Sequence, residues 1–144
     1  MADENRGYEG RVMMGSTPAE LTILKDLTTP LSRDELEDTI RGNNGVKTWE
    51  VGPLDYAVSG TVANQPDDAR FGELKDSFFN GTTIANVDVE DQRDSSNAHS
   101  LLCTLMKVTV WTPGKPMDGE QTWDFTMRPA RNGTTVPTVT FVEP

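Results

Sequence analysis

The stretch that decides the fold is Leu24–Gly81, LKDLTTPLSRDELEDTIRGNNGVKTWEVGPLDYAVSGTVANQPDDARFGELKDSFFNG. It runs from an arm through a Gly/Asn turn to an alternating strand and then one amphipathic helix. Leu54–Ala63 sets Leu54, Tyr56, Val58, Gly60 and Val62 against Asp55, Ala57, Ser59, Thr61 and Ala63. That period of two predicts a strand with one buried and one wet face. Gln65–Asn80 changes period: Phe71, Leu74 and Phe78 fall at i, i+3 and i+7, a single apolar stripe on a helix. Pro66 and Asp67 mark its start, Asp67 and Asp68 suit the positive end of the helix dipole, and Asn80-Gly81 closes it. A lone helix cannot bury its stripe unaided, so Phe71, Leu74 and Phe78 are assigned to packing against a sheet or a neighbouring subunit.

Ser32–Gly42 supports two readings. Ser32-Arg33-Asp34-Glu35 matches a capping box, Leu36 and Ile40 lie four apart, and Gly42 stands where a helix would end. Local rules alone therefore favour a short helix. Read as a strand, Leu36, Asp38 and Ile40 face one way, while Arg33, Glu35, Glu37, Thr39 and Arg41 face the other. Such a charged stripe suits water or a channel wall. Gly42-Asn43-Asn44-Gly45 is a turn, because Gly and Asn tolerate positive φ. Val46–Val51 follows as a strand, with Val46, Thr48 and Glu50 opposite Lys47, Trp49 and Val51, and Gly52-Pro53 separates it from Leu54.

Outward from this core, the first nine residues are a polar, acidic N-terminal segment without the basic and apolar regions of a secretory signal. Short strands are expected in Gly10–Gly15 and Thr22–Leu27, separated by the turn cluster Gly15-Ser16-Thr17-Pro18. Beyond the helix, Thr82–Val89 reads as a strand and Glu90–Ala98 as a loop. Leu101–Trp111 is apolar in both phases, which predicts a strand covered on both faces. Thr112–Gly119 reads as a loop, Gln121–Arg128 as a strand and Arg131–Thr134 as a turn. Val136–Val142 closes the chain as a strand whose Pro137 implies an edge or a bulge. The sum is mainly β, a β-sandwich or barrel of about six to eight strands with one flanking α-helix, residues 1–144 forming a single domain.

Composition narrows the function. The 144 residues carry 13 Lys and Arg against 23 Asp and Glu, a formal charge of −10. The pI is about 4.4 and the mean hydropathy −0.53. No run approaches the roughly 18 apolar residues of a membrane span. Tight nucleic-acid binders cluster Lys and Arg against phosphates, and here the cations are scattered singly. The same negative charge suits a surface past which DNA slides without sticking, although it serves solubility equally well.

The search for chemistry is mostly negative. Cys103 is the only cysteine and lies in the apolar run LLCTLM, so it reads as a small core residue outside any disulfide framework. His99 is the only histidine, and one Cys with one His cannot make a Cys/His zinc site. Asp88, Glu90, Asp91 and Asp94 lack the spacing and glycine of an EF-hand and read as a solvated loop. No nucleophile elbow, Walker loop or dinucleotide fingerprint occurs. Any two of the 23 carboxylates could meet in a fold for glycoside chemistry, and nothing raises one pair above the rest. Asn80-Gly81-Thr82 and Asn132-Gly133-Thr134 match the glycosylation sequon but sit at natural turns. No catalytic, cofactor or metal residue is expected.

The order of arm, Gly/Asn turn, alternating strand and single helix resembles the tail tube (major tail) proteins of long-tailed bacteriophages. The likeness covers roughly residues 10–130 and is best in register over Leu24–Gly81; it weakens in the second half, where Leu101–Trp111 and the tail after Arg128 fit only as generic strands. It implies a β-sandwich with one flanking helix that assembles as stacked hexameric rings. Strands from each subunit would join in an inner barrel conducting DNA without stable binding, and six copies at −10 would carry a formal −60 per ring. It also decides Ser32–Gly42 in favour of a strand. Thr29–Gly45 becomes an inter-subunit arm or hairpin, carried by Leu31, Arg33, Glu35, Glu37, Arg41, Asn43 and Asn44.

The implied partners are further copies of the chain, in ring and stacking contacts, with tape-measure and tail-tip or terminator proteins. The implied location is the virion tail, after synthesis in the host cytoplasm. Tubes of type VI secretion or contractile injection particles would share the fold. Three readings from elsewhere stand beside this one. A capsid-decorating protein is another virion role. A carbohydrate-binding module would use Trp49, Trp111 and Trp123 as a stacking platform and requires an exposed coplanar pair. An unrecognised enzyme would need a deep pocket lined by shifted carboxylates or His99.

Overall fold

A computed structural model of the chain describes residues 10–37, 45–91, 99–115, 117 and 119–143. Ten strands and one helix follow in the order β1 (Arg11–Met14), β2 (Ala19–Glu20), β3 (Leu24–Thr28), β4 (Leu31–Glu37), β5 (Trp49–Tyr56), β6 (Val58–Ala63), α1 (Ala69–Asn80), β7 (Ile84–Glu90), β8 (Ser100–Gly114), β9 (Thr122–Pro129) and β10 (Val139–Val142). The strand count exceeds the expected six to eight, partly because β2 has only two residues.

Eight strands form one sheet in the order β2-β1-β7-β8-β9-β6-β3, with β10 also on β8; β4 and β5 make a second, two-stranded sheet. The pairings are all antiparallel. Laid flat, the six spacings from β2 to β3 would separate these edges by roughly 29 Å. Yet only Leu21, Thr22 and Ile23 join them, a reach of about 14 Å. Leu21 N–H donates to Val12 O (2.9 Å) on one edge, while Ala63 N–H on the other donates to Ile23 O (2.9 Å). The sheet therefore curls until its edges meet, enclosing one apolar core to which β1, β6, β7, β8, β9 and α1 all contribute.

The helix starts at Ala69, four residues later than its pattern suggested. Asp68 is the N-cap, its Oδ1 accepting from the N–H groups of Arg70 (2.8 Å) and Phe71 (3.3 Å). Gly81 ends the helix at φ 72°, a left-handed conformation that glycine adopts without strain, and donates its N–H to Ser77 O. Phe71 and Leu74 are buried, whereas Phe78 is 38% exposed and meets Phe79 edge to face at 5.1 Å. The third buried position is Ser77, whose Oγ accepts the Val108 N–H at 3.0 Å. The helix is thus hydrogen-bonded to β8 through a small polar residue, which no apolar stripe foretells.

Several strand phases also differ from strict alternation, and the backbone explains each. Ile84 and Val87 lie in opposite phases of β7 yet both are buried, because Asn86 at φ 53° rotates the chain between them. On β8, Cys103, Met106, Val108 and Trp111 are all buried. Here the strand passes from pairing with β10 (Ser100–Cys103) to pairing with β9 (Met106–Gly114), and a bulge follows between Val108 and Val110. Apolar residues of both phases therefore reach one core, and within the single chain Val110 is left 44% exposed. Thr112–Gly114, expected as loop, continues β8 against β9. The turn at Arg131–Thr134 is present, with Gly133 at φ 62° inside an Asn132–Thr135 bridge. Pro137 precedes β10, which starts at Val139.

Leu31–Glu37 is a strand and not the helix that its capping-box pattern favours; Asp38–Gly42 lies outside the described residues. Pairing with β5 supplies the backbone partners that an isolated turn of helix would otherwise provide. Most of the loop expected at Glu90–Ala98 also lies outside the described residues. Its ends are closed by Asp91 N–H to His99 O (3.1 Å) and His99 N–H to Asp91 Oδ1 (2.8 Å).

Candidate assembly surface

The arm grows out of the sheet as one continuous ribbon. Thr28 opposes Ser59 where β3 meets β6, and Leu31 opposes Tyr56 where β4 meets β5, in unchanged register. Between the two ladders, Ala57 N–H donates to Pro30 O at 3.2 Å. Pro30 itself has no N–H, which accounts for the interruption. Tyr56 anchors the root, fully buried in the core, and Asp55 Oδ1 pairs with the Arg128 guanidinium of β9 at 3.0 Å.

Gly52-Pro53 was expected to divide two strands, and instead lies inside β5. Arg33 opposes Leu54 and Glu35 opposes Val51, so Gly52 and Pro53 together face Asp34 across a bulge. A bulge is the position within a ladder where proline is tolerated. Gly52 leaves the two strands close together there: a Cβ would lie 3.0 Å from Asp34 Cβ and 3.1 Å from its carbonyl oxygen, so Asp34 would have to shift slightly to admit one. Arg33 Nη1 also donates to Gly52 O (3.3 Å), fastening the bulge.

This register sorts the arm into two faces. Leu31, Arg33, Glu35 and Glu37 share one face with Tyr56, Leu54, Val51 and Trp49. Ser32, Asp34 and Leu36 share the other with Asp55 and Glu50. The first is an apolar stripe edged with charge, on which Trp49 is 55% and Val51 67% exposed, with Leu31 and Leu54 also open to solvent. The second is acidic. A two-stranded hairpin is marginal by itself in water, and exposed Trp, Val and Leu on one face make this a candidate contact surface. Of the residues expected to carry the arm, Leu31, Arg33, Glu35 and Glu37 fall on this one exposed face, and Arg41, Asn43 and Asn44 lie outside the described residues. Trp49, Val51 and Leu54 were not expected in the arm. Their alternation with Glu50 and Asp55 was visible, but the bulge that aligns Leu54 with Val51 was not.

The remaining candidate residues lie elsewhere in the fold. Trp111 and Trp123 are coplanar (14°) and stacked at 4.8 Å, but against each other, with Phe71 edge-on to both. Trp111 is 8% exposed and Trp123 Nε1 donates to Asn64 Oδ1, so this pair belongs to the core and offers no platform; Trp49 stands apart on the arm. His99 stacks on Phe141 beside Asp91, at a shallow cavity of about 320 Å³. Burial pushes the Cys103 thiol up, keeping it protonated in the core. The Tyr56 hydroxyl is pushed up to about 12, chiefly by burial and then by Cys103 and Asp88. Among the described residues, no group of three His, Cys, Asp or Glu is placed to hold a metal ion, and no helix is long and apolar enough to cross a membrane.

No family model matches the sequence, and no curated protein matches it. Solved structures do. The SPP1 tail tube superposes with a TM-score of 0.75 over 98% of this chain and 80% of that one, at 9% identity. The fold is that of the SPP1 tail tube. A chain of the native gene transfer agent virion matches with a TM-score of 0.70 at 12% identity, over 96% of this chain and 99% of its own. A chain of the sheath–tube complex of the extracellular contractile injection system PVC matches at 0.64 and 12% identity, over 96% and 93%. Such low identity explains why comparison by sequence finds nothing. The tail-tube fold and the projecting arm are thus joined in one chain.

Proposed function

We propose that this chain is a structural virion protein, the subunit of a tail tube, which self-assembles as stacked rings around a channel for DNA. The observation that carries this reading is the ribbon of β4 and β5. It projects from a closed shell with Trp49, Val51, Leu54 and Leu31 exposed on one face, a surface that a second copy would cover. Its likeness in fold to the SPP1 tail tube supports the same reading, and the resemblance points to hexameric rings. Ring closure also removes exposed strand edges, which otherwise invite uncontrolled pairing. Tape-measure and tail-tip or terminator proteins would meet the tube at its interior and ends. DNA passes without stable binding, consistent with the charge of −10.

The test is negative-stain electron microscopy of the purified protein across a wide concentration series. It is run beside a variant in which residues 31–54 are replaced by a short Gly-rich turn. The full chain is expected to form rings or hollow tubes with a channel wide enough for duplex DNA, and the variant to remain monomeric with its β-rich circular dichroism intact. A full chain that stays monomeric at every concentration, or tubes that form equally well without the arm, would overturn the proposal.

A further inference from the structure

Three Asn-Gly pairs occur in the chain, at residues 44–45, 80–81 and 132–133. Asn44 lies outside the described residues, and the fold treats the other two pairs differently. Asn80 is the last residue of α1, and the Gly81 N–H that follows it is donated to Ser77 O at 3.1 Å. Asn132 and Gly133 are both exposed, in the turn between β9 and β10. There Asn132 N–H donates to Thr135 O (3.2 Å) and Thr135 N–H to Asn132 O (3.0 Å), an isolated bridge with no ladder on either side. Among the described residues, neither the Gly133 N–H nor the Asn132 side chain has a hydrogen-bond partner. A Cβ at Gly133 would meet nothing within 4 Å, so the space around this link is open.

We infer that Asn132 is a site of spontaneous amide-to-acid conversion, and that the end of α1 protects Asn80 from the same chemistry. The inference stands apart from the tube reading. In the first step, base removes the proton of Gly133 N, and that nitrogen attacks Asn132 Cγ. The new N–Cγ bond forms as the Cγ–Nδ2 bond breaks, and Nδ2 takes up a proton and leaves as ammonia. Water then opens the cyclic imide. Cleavage at Cγ gives aspartate; cleavage at the main-chain carbonyl gives isoaspartate, whose chain runs through Cβ and Cγ. Water enters, ammonia leaves, nothing is oxidised or reduced, and the product adds one negative charge to the formal −10. Glycine hinders such an attack least, because no Cβ flanks its nitrogen. At Asn132 the attacking nitrogen is unengaged, and only the isolated bridge resists the movement that brings it to Cγ. At Asn80 the nitrogen is bonded within the helix end, where Gly81 serves as the cap at φ 72°. Reaction there requires the last turn to open first.

Peptide mapping by mass spectrometry tests the assignment, because trypsin places the three pairs in separate peptides, Gly42–Lys47, Asp76–Arg93 and Asn132–Pro144. The folded protein and a sample unfolded in urea are aged side by side at mildly alkaline pH. Both are then digested at mildly acidic pH, where the attack is suppressed, and fragment ions locate the converted residue. In urea, Asn80 and Asn132 should convert at similar rates. In the folded protein Asn132 should keep nearly that rate, while Asn80 should slow by about tenfold or more, the cost of opening a hydrogen-bonded helix end. Equal rates at the two sites in the folded protein, or protection of Asn132, would overturn the inference. A second variant isolates the attacking nitrogen. Gly133→Asn keeps a residue that tolerates left-handed φ but sets a Cβ beside that nitrogen. It should lose most of the acid product at Asn132, together with the isoaspartate that a specific methyltransferase labels in aged wild type. Conversion of Asn132 at the wild-type rate in this variant would exclude the proposed attack.

Discussion

Gly60 of β6 pairs with Leu27 of β3, at the root of the arm. A Cβ at this position would lie 2.3 Å from the Asp26 carbonyl oxygen and 3.3 Å from Leu24 Cδ1. The Asp26 backbone would have to recede by about 0.7 Å to reach even the shortest tolerable contact of 3.0 Å. The obstacle is backbone, so no rotamer change relieves it. Gly60→Ala therefore combines overpacking, at about 1–3 kcal/mol, with weakened pairing next to the Leu27–Gly60 rung, at about 1 kcal/mol per hydrogen bond. A loss of about 3 kcal/mol should lower Tm by roughly 6–12 °C in a domain of this size. Gly72 is the internal control: it lies in α1, and a Cβ there meets nothing within 4 Å. Gly72→Ala should raise stability by about 0.5–1 kcal/mol, through helix propensity and a less flexible unfolded chain. Urea and thermal unfolding of both variants, followed by circular dichroism, measure the pair. A Gly60→Ala protein melting within about 2 °C of wild type would show that β3 is not held against β6 as argued.

Other perturbations separate packing from assembly. Ser77→Ala removes the acceptor for the buried Val108 N–H and should cost about 1–3 kcal/mol in urea unfolding; an unchanged midpoint would deny the bond its role. Val51→Asp puts a charge on the exposed apolar face of the arm. It should abolish tube formation in the microscope while changing subunit stability by less than about 0.5 kcal/mol, and tubes at wild-type yield would contradict the use of that face. Burial, and then the neighbouring Glu90, raise the pKa of Asp88 against the opposing Ser100 hydrogen bond and Arg11 charge; its Oδ1 lacks a partner. The folded state thus favours the protonated acid. That contribution is complete below the ordinary carboxyl value and is lost as pH rises through the raised one. The Tm of Asp88→Asn minus that of wild type should therefore increase from acid pH toward neutrality, and a difference independent of pH would refute the linkage.

Local chemistry was legible in the chain. The α1 stripe of Phe71 and Leu74, the Gly81 stop and the alternation of Tyr56, Val58 and Val62 each depend on residues within a few positions of one another, although the helix was expected from Gln65 and is capped by Asp68. Signals of that range report periodicity and backbone preference, and they survive whatever the rest of the molecule does. Partnership between distant strands has no such signature. Leu31–Glu37 carries the local marks of a helix and is a strand because Trp49–Tyr56 pairs with it. Gly52-Pro53 reads as a break and is a bulge because Asp34 lies across from it. The Trp111–Trp123 stack, the seat of Ser77 on Val108 and the meeting of the sheet's edges through Leu21 and Ile23 are likewise products of closure. Amino-acid order by itself therefore determined the mainly β class, the single helix and the acidic character. Only the tertiary structure decided which face of the arm is apolar and which is acidic, because a side chain's face depends on register, and register is set by hydrogen bonds between residues far apart in the chain.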